Sequence, residues 1–300
     1  DTPITIDHQF LNIDVLWPVV RGNSVVELGQ EALVAVNSTR EYLEGKLSEE
    51  NSQYYGINTG FGSLCNVKID KEELVKLQEN LVRSHAVGMG DKVSEEIVRL
   101  ILFLKIKSLA FGFSGVREEL VRQLGKLFNA GILPVIYELG SLGASGDLAP
   151  LAHLGLTVFG EGEVNYKNEI LPSRIAMETA GINPLDLEAK EGLAILNGTQ
   201  FSSAHAAWSQ LHGERLNKLA DIISALSLDA YNGKIAEFSP SVTKVRPQGV
   251  AIKKADNIRR LLEGSSVKER ETDGVKDPDS FSCLSQLHGA PREGGPQDGS

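Results

Sequence analysis

Apolar residues recur three and four positions apart along most of this 300-residue chain. Such spacing places them on one face of a helix, so it predicts amphipathic helices that pack through that face. The segments with this repeat are 24–47, 94–110, 115–130, the stretch that follows residue 173, and a long stretch between about 190 and 230. Leu148, Leu151 and Leu154 are expected to belong to the core.

A further helix is predicted between a capping-box sequence and two glycines. Asp70-Lys71-Glu72-Glu73 would open this helix, and Gly88 and Gly90 would end it. Strand-like alternation is scarce, and the segment 161–172, with Lys167-Asn168 at its centre, predicts one small hairpin. The fold class predicted from these patterns is mainly α.

Composition narrows the class of protein. A hydrophobic content of 41% over 300 residues can bury a large core in one or two domains, and the net charge of −10 argues against a nucleic-acid partner. The most apolar stretch, 100–104, is interrupted by Lys105 and Lys107, and no basic leader is present, so a cytoplasmic protein without a membrane partner is expected. Cys65 and Cys283 lack metal-binding spacing, so free thiols and no metal site are expected.

The run 140–151, Gly-Ser-Leu-Gly-Ala-Ser-Gly-Asp-Leu-Ala-Pro-Leu, contains three small residues that can produce an electrophile. The Gly146 amide nitrogen can approach the Ala144 carbonyl carbon closely because glycine has no side chain. Its attack would close a five-membered ring, and loss of water together with the Ser145 hydroxyl would leave an exocyclic methylidene. The product is an electron-poor alkene, a reactivity that no unmodified side chain offers.

The simpler alternative for Ala144-Ser145-Gly146 is a turn between helices, with Asp147 as a negative charge at the start of the next helix. In the electrophile hypothesis, Gly143 and Asp147 shape the ring-forming loop, and Asp147 also accepts a proton during the dehydration. His153 is expected to be a packing histidine and not a catalytic one.

Three further segments occur in an order and at separations that make the combination specific. The segments are Tyr55-Gly56-Ile57-Asn58-Thr59-Gly60-Phe61-Gly62, Asn80-Leu81-Val82-Arg83-Ser84-His85-Ala86-Val87-Gly88 and Leu196-Asn197-Gly198-Thr199-Gln200. Together with the run at 140–151, they make the chain resemble the aromatic amino acid ammonia-lyase family, over the N-terminal part of the family's pattern. The first segment is similar to the family's tyrosine loop, the second to its substrate-selectivity helix and the third to its asparagine motif.

The resemblance implies a cofactor, 4-methylidene-imidazol-5-one, formed autocatalytically from Ala144, Ser145 and Gly146. It also implies that Asn197 hydrogen-bonds the substrate or the imidazolone oxygen. An asparagine that caps the long helix after it is the alternative from the residues themselves, and both can hold.

For the tyrosine loop, the resemblance implies that Tyr55 removes the β-proton of the substrate and that Gly62 belongs to the substrate-binding loop. A free phenol has a pKa of about 10, so this base requires surroundings that stabilise the phenolate. An exposed tyrosine that packs on Phe61 is the alternative.

The pair Ser84-His85 indicates which amino acid the chain would accept as its substrate. Relatives that act on histidine place Ser-His here, whereas those acting on phenylalanine or tyrosine place Phe-Leu or His-Leu. A pocket histidine can hydrogen-bond an imidazole, whose nitrogens would be stranded against an apolar wall. The alternative is a surface histidine at the C-terminal end of a helix, where the dipole favours it.

The implied fold is an ammonia-lyase-like helical fold with a loop-rich N-terminal region and a truncated central helical bundle. The expected domains are 1–190, which carries the tyrosine loop and the Ala-Ser-Gly site, a partial bundle at 191–290, and a disordered tail at 291–300. The implied partners are a small-molecule amino acid substrate and further copies of the chain, in a homotetramer.

The implied reaction is elimination of ammonia from L-histidine to give urocanate. Action on tyrosine or phenylalanine, as a lyase or an aminomutase, is the alternative within the family. The last sixty residues depart from the family pattern, since Asp279 and Ser282 stand where a tyrosine and a carboxylate-binding arginine are expected, and Arg246-Pro247-Gln248-Gly249 is one residue short. A catalytically inactive fragment or scaffold subunit is therefore a second hypothesis.

Overall fold

Residues 2–49, 53–54, 57–59, 71–243, 245, 249–270 and 276–293 are described by a computed structural model of the chain. The chain forms two compact units, Asp1–Trp208 and Ser209–Ser300. Helices predominate in both units, which confirms the predicted fold class. The predicted domain boundary at residue 190 stays a prediction, since compactness separates the chain after Trp208.

The helices follow the predicted segments closely. In chain order they are α1 Leu16–Val20, α2 Gln30–Ser48, α3 Lys71–His85, α4 Glu95–Ala110, α5 Glu118–Asn129, α6 Leu148–Val158, α7 Ser173–Thr179, α8 Glu191–Leu196, α9 Gln200–Tyr231, α10 Pro240–Thr243, α11 Gly249–Leu261, α12 Asp279–Ser282 and α13 Leu284–Glu293. The long helix predicted between 190 and 230 is divided, because residues 197–199 separate α8 from α9. Short 3-10 turns occur at Ile13–Val15, Ile235–Phe238 and Ser266–Lys268.

The strands are short and form small sheets. They are β1 Thr2–Ile6, β2 Ser24–Leu28, β3 Met89–Lys92, β4 Leu133–Pro134, β5 Tyr137–Leu139, β6 Glu163–Tyr166 and β7 Glu169–Pro172. β6 and β7 form the predicted hairpin, which is confirmed. Lys167 and Asn168 at its turn both have positive φ, 53° and 65°, as a two-residue hairpin turn requires.

One predicted helix was wrong at its start, because residues 24–28 form strand β2, parallel to β1. The N–H of Val26 donates to Asn129 Oδ1 (2.8 Å), and its carbonyl accepts from Asn129 Nδ2 (2.9 Å). These bonds and the pairing with β1 satisfy the extended backbone, which outweighs the helical spacing of the apolar residues.

The core of the first unit is built around α4. Its residues 100–103 are all fully buried, so this helix is apolar on every side there. It packs against α1 and α5. From α6, Leu151 and Leu154 are fully buried as predicted, whereas Leu148 lies in the first turn and is only half-buried.

The antiparallel pair β3–β5 brings the end of α3 close to the run 140–151. Met89 lies opposite Leu139, immediately before the run 140–151. The C-terminal end of α3 is therefore beside the start of that run, a long-range contact that no local pattern in the sequence encodes.

In the second unit, α11 packs on α13 over a small apolar core that includes Leu228, Phe238 and Ile258. α13 runs to Glu293, three residues into the segment predicted as a disordered tail, and residues 294–300 lie outside the described ones. None of the described helices has both the length and the apolar character needed to span a membrane.

A buried carboxylate joins three helices of this unit. Asp221 on α9 is 2% exposed and accepts hydrogen bonds from Lys254 Nζ (2.7 Å), Asn257 Nδ2 (2.9 Å) and His288 Nδ1 (2.9 Å). Burial alone would raise the pKa of the Asp221 carboxyl, but the hydrogen bonds from Lys254, His288 and Asn257 hold that pKa below its ordinary value. Asp221 therefore ties α9 to α11 and α13.

We expect Asp221→Ala to lower the free energy of unfolding by about 3 to 5 kcal/mol, because it leaves a buried ammonium without its counter-charge. The matched control is Asp256→Ala, which removes the exposed partner of Arg259 and should cost less than about 1 kcal/mol. Urea denaturation followed by circular dichroism measures both. Equal losses in the two variants would contradict the role assigned to Asp221.

Candidate active site

Residues 140–147 of the run form a loop between β5 and α6, and residues 148–151 are the first residues of α6. The C-terminal part of the loop contacts a backbone segment that is distant in sequence. Gly146 forms an isolated bridge with Gly198, and the N–H of Asp147 donates to the Gly198 carbonyl (2.8 Å). Gly146 has a φ of +106°, and a Cβ added there would lie 2.4 Å from the Gly198 carbonyl oxygen. Only glycine fits this position, and the asparagine motif therefore lies against the Ala-Ser-Gly triad.

Asp147 closes the loop through its buried carboxylate. Its Oδ1 accepts from the hydroxyls of Ser141 (2.8 Å) and Ser202 (2.9 Å), and its Oδ2 accepts from the N–H of Ser202 (2.9 Å). Ser202 lies in the first turn of α9, where N–H groups have no partner within the helix. Asp147 precedes α6 as predicted, but its carboxylate caps α9 and makes no capping bond to α6.

Ala144 and Ser145 are exposed, whereas Asp147 is 3% exposed. The hydroxyl that the electrophile hypothesis requires is thus on the accessible side of the loop. The carboxylate that fixes the loop is on the inner side. Whether Asp147 also accepts a proton stays a prediction.

Asn197 ends α8, and its backbone N–H bonds the Leu193 carbonyl. Its side chain is exposed, on the same short segment as Gly198. It thus occupies the C-cap of the preceding helix, which differs from the predicted alternative of a cap on the helix that follows. The start of α8 is also fixed, since Gln78 Oε1 on α3 accepts from the N–H of Gly192 (2.9 Å).

Sequence reasoning missed Lys105, which it noted only as a break in an apolar stretch. Lys105 is 1% exposed, and its Nζ donates to the carbonyls of Ala194 (3.2 Å) and Asn197 (3.0 Å). Burial lowers the pKa of the Lys105 ammonium to about 7, against an opposing attraction from Asp147. A lysine inside a helix that is apolar on every side is the signal that could have identified it.

Ser84 and His85 form the last turn of α3. The Ser84 hydroxyl and His85 Nδ1 both bond the Leu81 carbonyl, each at 2.8 Å. An Nδ1–H that donates to this carbonyl leaves Nε2 as the acceptor of a neutral ring. The half-buried His85 therefore contacts the end of its own helix through Nδ1, and the neutral ring presents the lone pair of Nε2.

Gly88 connects this helix end to the triad loop. A Cβ added at Gly140 would lie 3.2 Å from the Gly88 Cα, and the Gly88 N–H donates to His153 Nε2 (2.9 Å). His153 also contacts the Tyr137 ring edge-on, and burial lowers the pKa of its imidazole. His153 is thus a hydrogen-bonded packing histidine, as predicted.

The tyrosine loop is described only in part. Tyr55, Gly60, Phe61 and Gly62 lie outside the described residues, so the roles predicted for Tyr55 and Gly62 stay predictions. Around them, the N–H of Tyr54 donates to Asn58 Oδ1 (2.7 Å), and the Tyr54 carbonyl accepts from the N–H of Asn58 (3.2 Å). Asn58 and Thr59 are buried.

The departures from the family pattern lie in the second unit. Asp279 on α12 is exposed and accepts from Lys276 Nζ (2.7 Å), and this hydrogen bond lowers the pKa of its carboxyl. Residues 246–248 and Cys65 lie outside the described residues, and Cys283 is a half-buried free thiol. Among the side chains that the structure describes, no cluster of His, Cys, Asp or Glu could hold a metal ion.

Curated relatives of the chain are histidine ammonia-lyases. Those of Streptococcus pyogenes serotype M6 and Streptococcus gordonii are 43% and 42% identical to it over 291 residues, which is 97% of this chain and 56% of each relative. The chain thus spans about half the length of the curated relatives it matches.

Solved structures give the same fold. Histidine ammonia-lyase from Trypanosoma cruzi matches with a TM-score of 0.86 at 33% identity, and tyrosine aminomutase from Streptomyces globisporus with 0.87 at 31%. Ergothionase from Treponema denticola, an ergothioneine-degrading enzyme, matches with 0.88 at 29%. Each match covers 97% of this chain and 55%, 59% and 58% of the respective structure.

The family model for aromatic amino acid lyases matches residues 11–295, nearly the whole chain. The ammonia-lyase-like fold expected from the sequence is confirmed by the structural matches. The chain belongs to the aromatic amino acid lyase family.

Proposed function

We propose that the chain carries the cofactor-forming part of a histidine-type ammonia-lyase, which eliminates ammonia from L-histidine to give urocanate. The observation that carries this proposal is that two long-range backbone contacts join three of the four motifs. Gly88 lies against Gly140, and Gly146 lies against Gly198. The selectivity helix and the asparagine motif therefore flank the Ala-Ser-Gly triad from opposite ends of its loop.

The residues fit a 4-methylidene-imidazol-5-one. Gly146 has no room for a side chain, and its backbone is held in the left-handed region where a turn folds back on itself. Formation of the ring joins the Gly146 nitrogen to the Ala144 carbonyl carbon and releases that carbonyl oxygen as water. Loss of the Ser145 α-proton and hydroxyl as a second water creates the alkene. The finished group supplies an electrophile.

The other residues bind the substrate and move its proton. Tyr55 is assigned the β-proton, and Asn197 is assigned a hydrogen bond to the substrate or to the imidazolone oxygen. Support for Asn197 comes from its exposed side chain, which stands one residue from the Gly198 bridge. Asp147 maintains the loop, because its carboxylate bonds both Ser141 and Ser202.

The choice of L-histidine rests on His85. With Nδ1 committed to the Leu81 carbonyl, its Nε2 can accept a hydrogen bond from the N–H of a substrate imidazole. The high identity to histidine ammonia-lyases supports the same substrate. The structural similarity to a tyrosine aminomutase keeps action on tyrosine or phenylalanine as the alternative within the family.

We further propose that the chain forms a homo-oligomer, a tetramer by family resemblance. On α9, Leu216, Leu219, Ile223 and Leu226 are between 42% and 66% exposed. They recur at three- and four-residue spacing, which is typical of a helix that packs against other helices. Further copies of this chain are the partners assigned to that face. A cytoplasmic location stays a prediction.

The competing hypothesis is a catalytically inactive fragment or scaffold subunit. Asp279 is the observation that favours it, since a charged carboxylate there would repel a substrate carboxylate where the family is expected to place an uncharged phenol. Ser282 stands where the family is expected to place an arginine. Without that arginine, the substrate carboxylate lacks a bidentate hydrogen-bond partner. Absorbance of urocanate, formed from L-histidine by the purified chain, distinguishes the two hypotheses.

We expect Ser145→Ala to abolish formation of the alkene and lyase activity while the protein stays folded, because the hydroxyl is required for the alkene and a methyl group fits an exposed site. Intact-protein mass spectrometry reports the loss of two waters, and absorbance reports urocanate. Ser203→Ala, an exposed serine on α9, is the control and should behave like the unmodified chain. Retained activity in Ser145→Ala would disprove the imidazolone mechanism.

The double variant Ser84→Phe with His85→Leu should weaken turnover of histidine and improve that of phenylalanine. An apolar wall suits a benzene ring and leaves an imidazole without a partner, so the ratio of kcat/KM values should shift by about tenfold or more. Steady-state kinetics with both amino acids measure this ratio, and substitution of the exposed Lys76 on the same helix, Lys76→Ala, is the control. An unchanged ratio would show that these residues do not line the pocket.

If the carboxylate-binding group is missing, the purified 300-residue chain should turn over L-histidine weakly, because a substrate that is not fixed loses the entropic advantage of a near-attack geometry. Asp279→Tyr with Ser282→Arg, in a chain extended by the family's C-terminal region, should restore turnover. The same extended chain without the two substitutions is the control. Robust turnover by the chain as it stands would favour the plain lyase hypothesis.

A further inference from the structure

We propose that Lys105 is a positioning residue, which fixes the Asn197–Gly198 segment against the Ala144–Gly146 loop so that the ring can form. This inference rests on the proposed function, because it assigns Lys105 to formation of that cofactor. It adds a residue outside the four motifs and outside the loop itself.

The contacts of Lys105 are specific to one end of one helix. Its Nζ donates to the carbonyls of Ala194 and Asn197, at 3.2 and 3.0 Å. These carbonyls lie at the C-terminal end of α8, where backbone oxygens lack partners within the helix and where a cation complements the dipole. Lys105 thus provides from the core the donors that α8 cannot provide for itself.

The Asn197–Gly198 segment, which Lys105 contacts, also contacts the Ala144–Gly146 loop. Asn197, whose carbonyl Lys105 holds, is followed by Gly198, whose carbonyl accepts the Asp147 N–H (2.8 Å). The close approach of Gly146 to the Gly198 carbonyl leaves no free space between them. A shift of the Asn197 peptide is therefore transmitted to the backbone nitrogen that must attack Ala144.

The start of α8 is fixed independently of Lys105. Glu191 is fully buried and accepts from Arg117 Nη2 (2.7 Å), and Gln78 Oε1 accepts from the Gly192 N–H. Loss of the Lys105 contacts would therefore release the C-terminal end of α8 alone. This geometry predicts a local defect at the loop and not a general loss of structure.

The hydrogen bonds of Lys105 do not require its charge. Burial lowers the pKa of Lys105 to about 7, and Asp147 is the carboxylate that opposes this. A neutral amine still carries two N–H groups, enough for the two carbonyls. An uncharged side chain with an amide N–H₂ should therefore replace Lys105 in part.

Lys107 provides a matched control on the same helix. It is also buried, 7% exposed, and its Nζ also donates to two backbone carbonyls, those of Asp7 and Gln9. Those carbonyls belong to the N-terminal segment, so within the part of the chain that the structure describes Lys107 supports a region other than α8 and the loop. A general effect of removing a buried lysine would appear equally in both variants.

The experiment compares the 300-residue chain with Lys105→Met, Lys105→Gln and Lys107→Met, and it includes Ser145→Ala as a reference that cannot lose the second water. Intact-protein mass spectrometry gives the fraction of each chain that is lighter by two waters, and urea denaturation gives its stability. We expect the cyclised fraction to fall by about tenfold or more in Lys105→Met, because small displacements at a reacting centre cost large factors in rate. Lys105→Gln should be intermediate, and Lys107→Met should match the unmodified chain.

Equal cyclised fractions in the unmodified chain and Lys105→Met would overturn the inference and leave the proposed function standing. Equal decreases of the cyclised fraction in Lys105→Met and Lys107→Met would also overturn the inference. Loss of cooperative unfolding in both Lys105 variants would do the same, since Lys105 would then support the fold as a whole. An unmodified chain that never loses water would contradict the proposed function and this inference with it.

Discussion

The close approach of two backbone segments at Gly146 and Gly198 is the constraint on which the arrangement of the first unit depends. A side chain at Gly146 would overlap the Gly198 carbonyl, and Gly198 itself has a φ of +144°, which residues with a side chain rarely adopt. Steric overlap of this size cannot be relieved by a rotamer change when the contacted atom is backbone. The loop before α6 and the break between α8 and α9 therefore determine each other's shape, and the neighbouring helices must hold both.

Buried ionisable side chains provide that support. Asp147, Lys105 and Glu191 are each 3% exposed or less, and each has several hydrogen-bond partners. A buried polar or charged group is tolerated only when its hydrogen-bonding capacity is met, so each of these side chains specifies the position of the segments that contact it. In the second unit, Asp221 does the same for three helices. Buried polar side chains thus connect the ends of helices and loops through hydrogen bonds, while the helix faces pack through apolar residues.

Much of the fold could be predicted, because helical periodicity and turn chemistry are local. The prediction failed at residues 24–28, where pairing with β1 and the Asn129 side chain stabilises an extended backbone. In the candidate site, the sequence could point to the triad because the proposed ring formation needs three consecutive small residues. The partners of Asp147 and Lys105 could not be predicted, since Ser202 and Asn197 lie 55 and 92 residues away in sequence and no spacing rule links them.

The bridge between Gly146 and Gly198 also has a consequence for the order of events during synthesis. Its two sides are separated by α6, the β6–β7 hairpin, α7 and α8, so the triad leaves the ribosome long before its supporting segment. Chains acquire structure from the N-terminus as they emerge. Under the proposed function, a triad that requires this bridge for ring formation stays unreacted until the segment around Gly198 has been synthesised and has folded. Ring formation would then follow the folding of the first unit and would not precede it.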